Sequence, residues 1–196
     1  MTINGGCFPD FQQDGFNEFD VAAGKGVRQV FLTRSLDHGR TWSMAQEITY
    51  QVTRPDQGWR QAVPTVGHAI QLRTGRLFFT AHVSVGGNDV YHSQNYVFWS
   101  DDHGTSWRIG GLNPRIGCNE SIAVELEDGS VMVNARAYED GKPDGLRLVM
   151  VYQFDPRGNI TMTPGKLEPQ LITPTVESSL IRYGWAKEGK GILLFS

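Results

Sequence analysis

An eight-residue phrase occurs twice in this chain, and it restricts the fold more than any other feature. Ser35-Leu36-Asp37-His38-Gly39-Arg40-Thr41-Trp42 recurs as Ser100-Asp101-Asp102-His103-Gly104-Thr105-Ser106-Trp107, and both read S-x-D-x-G-x-[ST]-W. The phrase describes a turn with a mechanism. Its Asp can accept backbone N–H bonds across a tight turn, and its Gly supplies the positive-φ position. Its Trp is expected to fold back as an apolar plug between adjacent strands or blades. Asp37 and Asp102 lie beside histidines, but they are read as turn staples rather than catalysts. A second phrase repeats 54 residues apart: Leu72-Arg73-Thr74-Gly75-Arg76-Leu77 against Leu126-Glu127-Asp128-Gly129-Ser130-Val131, with Ala81 and Ala135 at the same offset. A weaker copy of the first phrase, Gln153-Phe154-Asp155-Pro156-Arg157-Gly158, places its Asp 53 residues beyond Asp102. Two turn types interleaved on one period of about 50–65 residues describe a tandem antiparallel unit, the blade of a β-propeller.

The segments between these turns support that geometry. Strands are expected at 27–33, 68–72, 77–83, 96–99, 122–126, 131–137, 146–154, 179–183 and 192–195, each bounded by Gly, Asp, Asn or Pro. No window carries a sustained helical period. With 23 glycines and 11% aromatics, the chain reads as nearly all-β. Counted by phase, residues 27–50 end one blade, 65–115 and 118–165 make two complete ones, and 178–196 begin another.

Several functions are excluded or given no support. A net charge of −3 provides no electrostatic footprint for nucleic acid. No apolar run approaches the roughly 20 residues that span a bilayer. Cys7 and Cys118 cannot build a disulfide framework or a C-x-x-C metal site. The five histidines show no paired ligand spacing, so neither a metal nor a cofactor is expected. Gly24-Lys25-Gly26 lacks the spacing of a phosphate-binding loop. The residues from Met1 onward lack a basic and an apolar signal-peptide region, so the product as encoded is expected to stay in the cytosol, with its compartment otherwise open.

The paired phrases at 35–42 and 100–107 resemble the Asp-boxes, or bacterial neuraminidase repeats, of the exo-α-sialidases, with a degenerate third near 153–158. The stretch from Asn119 to Arg136 is similar to the sialidase phrase N-E-S-x-x-x-E-L-x-D-G-S-x-x-x-N-x-R. Gly67-His68-Ala69-Ile70-Gln71-Leu72, Tyr96-Val97-Phe98-Trp99-Ser100 and Gly191-Ile192-Leu193-Leu194-Phe195-Ser196 also read like bacterial members. The resemblance covers nearly the whole chain from about Val27. It implies one partial domain over residues 1–196, about three blades of a six-bladed β-propeller.

The resemblance also implies a chemistry. Sialidases release terminal α-linked sialic acids from glycoconjugates with retention, through a tyrosine nucleophile. The anomeric carbon bears a carboxylate that would repel an anionic nucleophile, so a neutral tyrosine is used and needs a base. Glu120 takes that role. Arg136 matches the second arginine of the family's three-arginine clamp for the substrate carboxylate. The general acid is an aspartate on a loop ahead of the first Asp-box, here 15–26, with Asp20 the natural candidate and Asp14 and Glu18 behind it. His68, Trp59 and Arg60 either line the sugar cleft or pack in the core. No Arg-Ile-Pro or Arg-Val-Pro phrase supplies the first arginine, and the tyrosine and third arginine belong beyond Ser196. Tyr138 and Tyr183 lie in the wrong segments. The implied partners are sialylated glycans, together with self-association through open blade edges. Full-length relatives are often exported. A non-catalytic Asp-box propeller binding glycans or proteins, and an inactive truncated fragment, remain alternative readings.

Overall fold

Each tandem unit folds into its own antiparallel sheet. The computed structural model describes residues 2–4, 21, 26–64, 67–85, 92–139, 142–185 and 191–196. The first sheet contains β1 (Thr2–Asn4), β2 (Val30–Leu32) and β3 (Gln46–Glu47), in that order. A one-turn helix at Thr49–Val52 and a 3₁₀ turn at Pro55–Gln57 lead to the second sheet. Its strands are β4 (Trp59–Pro64), β5 (Ile70–Gln71), β6 (Leu77–Val85), β7 (Gln94–Ser100) and β8 (Arg108–Ile109). They lie in the order β4-β6-β7-β8, and β5 pairs with β6 beyond the end of β4. The third sheet repeats the plan with β9 (Cys118–Glu125), β10 (Val131–Glu139), β11 (Lys142–Phe154) and β12 (Ile160–Met162), while β13 (Lys166–Ile172) pairs farther along β11. A fourth sheet joins β14 (Leu180–Gly184) and β15 (Ile192–Phe195).

The sheets stack face to face, which explains the continuous apolar runs. On β7, Tyr96 and Phe98 pack with Val30, Leu32, Ile48 and Val52 toward the first sheet. The alternate residues Val97 and Trp99 join Val133, Leu148, Met150 and Tyr152 of the third. Period-two alternation with both faces buried gives an unbroken apolar sequence. Ile122 and Val124 on β9 meet Leu180, Leu193 and Phe195 of the fourth sheet.

The strand expectations need correction: the 27–33 strand narrows to Val30–Leu32, and the short strands β1, β3, β8 and β12 as well as β4 and β13 lie outside the expected ranges. The second sheet opens on β4 at Trp59–Pro64, and only Ile70–Gln71 of the expected 68–72 strand is paired. The β4 signal is weak because its register shifts between Arg60 and Val63 and a proline ends it. β13 is an edge strand with mostly exposed or half-buried residues, so it carries no apolar pattern, and its edge position accommodates Pro169.

The three turn phrases share one hydrogen-bond scheme. Asp37 Oδ1 accepts from Thr41 N (2.9 Å), and its Oδ2 accepts from Thr41 Oγ1 (2.6 Å). Asp102 accepts in the same way from Ser106 N (2.8 Å) and Ser106 Oγ (2.6 Å). In the degenerate copy Asp155 accepts from Asn159 N (2.9 Å) and Asn159 Nδ2 (2.8 Å), so an amide replaces the hydroxyl. His38 and His103 also take left-handed conformations, φ 61° and 57°, ahead of Gly39 and Gly104. The accepted bonds hold the Asp37 carboxyl at about 2, well below its ordinary range, with the Thr41 hydroxyl the largest contributor.

The tryptophans diverge. Trp107 is buried against Phe79 and Phe98, with ring centroids 5.3 and 5.4 Å away. Trp42 is 52% exposed and donates Nε1–H to the Gly39 carbonyl, so it does not plug an interface. Trp107 closes onto two aromatic side chains of β6 and β7, whereas β2 and β3 offer Trp42 only short strands.

Candidate functional site

Buried polar bonds from the second sheet fix β9. Ser93 Oγ donates to the Cys118 carbonyl (3.0 Å), Asn95 Nδ2 to the Asn119 carbonyl, and Thr80 Oγ1 to the Ser121 carbonyl (2.9 Å). A register shift follows. Ser121 faces Ala135 on β10, but Cys118 faces Ala137, so Asn119 and Glu120 together oppose Arg136. Such a bulge re-aims the side chains it contains. A second irregularity lies on the other flank, where Arg136 faces Arg147 but Tyr138 faces Pro143, with Gly145 at φ 74° between them.

Between these irregularities Glu120 and Arg136 meet. Arg136 Nη1 lies 2.9 Å from Glu120 Oε2, with the side chains 25% and 27% exposed. The Arg136 guanidinium sits 5.0 Å over the Tyr138 ring, which is buried. Its Nε has no hydrogen-bond partner among the described residues. The pair therefore combines an accessible carboxylate with a cation that retains a free donor.

The site and the Asp-box turns occupy opposite ends of the strands. Val131 pairs with Tyr152 near the Asp155 turn, whereas Arg136 pairs with Arg147. Five residues at about 3.4 Å each separate these ends by about 17 Å.

Three further titratable groups interact electrostatically with the pair. Burial, reinforced by the Arg28 and Arg136 charges, pushes His82 on β6 down to about 4, so its imidazole is neutral at pH 7. Arg147 is 1% exposed, and burial lowers it to about 10, still fully charged at neutral pH. Glu177 has its carboxyl raised by desolvation and then by the Glu120 charge, against the opposing Arg147 charge.

The expected residues separate as follows. Glu120 and Arg136 come together; Asp20, Asp14 and Glu18 lie outside the described residues. Trp59 is core, 4.9 Å edge-on to Tyr96, and His68 is exposed beside a cavity of about 200 Å³ lined also by Leu180 and Trp185. The side chain of Arg60 lies outside the described residues. Tyr183 is 73% exposed, while Tyr138 underlies Arg136. Sequence reasoning missed His82, Arg147 and Glu177. Only Arg147 carried a signal, as a charge inside the apolar strand Leu146-Arg147-Leu148-Val149.

Stacked antiparallel blades with Asp-box turns at one end form part of a β-propeller, and solved structures identify the sialidase type. The chain superposes over 86% of its length on a Hadza microbial sialidase, covering 31% of that chain with TM-score 0.69 and 29% identity. Trypanosoma rangeli sialidase in complex with the inhibitor DANA shares the fold, with TM-score 0.56 and 22% identity over 86% of this chain and 27% of its own. In sequence the chain is 35% identical over 164 residues to a sialidase of Micromonospora viridifaciens, covering 82% of this chain and 24% of that protein. It is 31% identical over 159 residues to Sialidase-4 of Mus musculus, covering 77% and 32%. Residues 18–151 match the BNR repeat-like domain family, and the chain belongs to it. It spans 24% and 32% of the length of these two curated relatives.

Proposed function

We propose that this chain supplies the Glu120–Arg136 part of an exo-α-sialidase active site, in a retaining glycoside hydrolase acting on terminal α-linked sialic acids. The supporting observation is the ion pair of 2.9 Å, built by a bulge at the end of the strands opposite the Asp-box turns. In this reading Arg136 turns from Glu120 to the substrate carboxylate, where a planar guanidinium binds bidentately. Glu120, accepting protons only when ionised, activates a tyrosine nucleophile that this segment does not contain. Asp20 protonates the leaving oxygen. The sialidase relatives support the substrate class, since one solved neighbour is a sialidase in complex with sialic acid.

Two assays test the reading. N-acetylneuraminic acid should give saturation-transfer NMR signals with this chain that Arg136→Ala removes. The 196-residue chain should show no useful turnover of a fluorogenic sialoside, because losing a nucleophile costs several powers of ten. A chain extended through the missing blades should turn it over, and Glu120→Ala should abolish that activity. Turnover by the short chain that Glu120→Ala abolishes would overturn the tyrosine assignment.

We also assign self-association to the fourth sheet. Ile181 and Tyr183 on β14 and Ile192 and Leu194 on β15 are 49–73% exposed, on a sheet whose edges pair with no other strand among the described residues. Analytical ultracentrifugation should show concentration-dependent association that Ile181→Lys with Leu194→Lys suppresses.

A further inference from the structure

Arg147 is an expensive residue to place where it lies. It is 1% exposed and stands directly opposite Arg136 across the β10–β11 ladder, a like-charge pairing that is unfavourable unless something compensates. Its hydrogen bonds go to neutral oxygens. Nε donates to Asn134 Oδ1, Nη2 to the Asn134 carbonyl (3.4 Å) and Nη1 to the Val176 carbonyl (2.8 Å). One guanidinium thus ties β10, two residues before Arg136, to the segment that leaves β13 for the fourth sheet.

That segment is itself held in an unfavourable shape. Thr175 takes φ 57°, a left-handed conformation that a β-branched residue rarely adopts. The tethers at 173 and 176 hold it there, through Thr173 N to the Gly145 carbonyl (3.0 Å) and Arg147 to Val176. The next residue is Glu177. A methyl on Gly67 would lie 3.2 Å from Glu177 Oε1, so this glycine leaves room for the carboxylate.

We propose that Arg147 is a positioning residue of the site: its buried guanidinium holds Asn134 and the Val176 carbonyl, and thereby fixes the strained segment that sets Glu177 beside the Glu120–Arg136 pair. The proposal rests on reading that pair as the working one. Among the described residues the charges that act on Glu177 are those of Glu120 on β9 and Arg147 on β11, and the uncharged Gly67 of the β4–β5 connection lies against its carboxylate. Charge and geometry agree, since Arg147 opposes the upward pressure that Glu120 and desolvation place on the Glu177 carboxyl.

The test is a ¹³C-detected titration of the Glu177 side-chain carboxyl in the 196-residue chain, assigned with Glu177→Gln. Arg147→Met should raise the Glu177 midpoint, and Arg147→Lys should bring it back toward the wild-type value. A second measurement needs no Arg147 variant. In wild type the slowly exchanging Arg147 Nε–H resonance should shift as Glu177 titrates, and in Glu177→Gln that shift should vanish. An Nε–H resonance indifferent to Glu177, or an unmoved Glu177 midpoint in folded Arg147→Met, overturns the proposal. The reading of the pair fails separately: N-acetylneuraminic acid binding unaffected by Arg136→Ala would remove it while leaving both titration results standing.

Discussion

The hydroxyl of Thr80 donates to the carbonyl of Ser121 across the boundary between the second and third sheets, at 2.9 Å and with both residues buried. Thr80→Val keeps the shape and removes the donor, so an interior carbonyl loses this bond. Urea denaturation should show a loss of about 1–3 kcal/mol. Hydrogen exchange should also speed up at Ile122, next to the bonded carbonyl. A loss confined to the second sheet would mean that this bond does not hold β9.

The two Asp-box tryptophans should differ in cost although their motifs match. Trp107→Ala empties a buried aromatic cluster and should destabilise by about 3–5 kcal/mol. Trp42→Ala removes a half-exposed ring and should cost about 1 kcal/mol or less. Urea midpoints of the two variants decide it, and equal losses would contradict the exposed setting of Trp42.

His82 should give the protein an acid-sensitive window. Its folded value of about 4 lies below the ordinary 6.5, so the unfolded chain takes up a proton first as pH falls. Stability is unaffected above 6.5, declines as pH drops toward 4, and levels below that. The decline is at most about 3 kcal/mol. His82→Gln should flatten the profile of Tm against pH over that window, and an unchanged slope would show that His82 does not titrate there.

A second acid-dependent step belongs to the turns. Asp37 is depressed to about 2 and Asp102 lower still, in each case chiefly by the hydroxyl bonded to the carboxylate. Their contribution is present above 3.8 and lost as pH falls through the depressed values. Asp102→Asn should lower Tm at pH 7 and reduce the remaining dependence below pH 4, in the same differential scans.

What could be read in advance was local. Asp37, Gly39 and Thr41 specify a turn from neighbouring atoms alone, and the same chemistry repeats at Asp102, so the tandem plan was visible. The degenerate Asp155 copy was visible for the same reason. What escaped depended on partners distant in sequence. Cys118-Asn119-Glu120-Ser121 reads as ordinary alternation, and only pairing with Ala135 and Ala137 reveals the extra residue that aims Glu120 at Arg136. β4 was obscured by its own register shift, and Glu177 has no motif, because a buried arginine 30 residues earlier determines where it stands.

The separation of the turn staples from the Glu120 pair, at opposite ends of the strands, has a consequence for how changes combine. Residues that far apart with no shared partner contribute to stability almost additively. The third turn accommodates Pro156 and Asn159 in its phrase, and the ion pair stands at the other end of the same sheet. Loops at the Glu120 end can likewise vary at little cost to the turns at the other end. Substitutions at the two ends of such a blade should combine almost as if they lay in separate proteins.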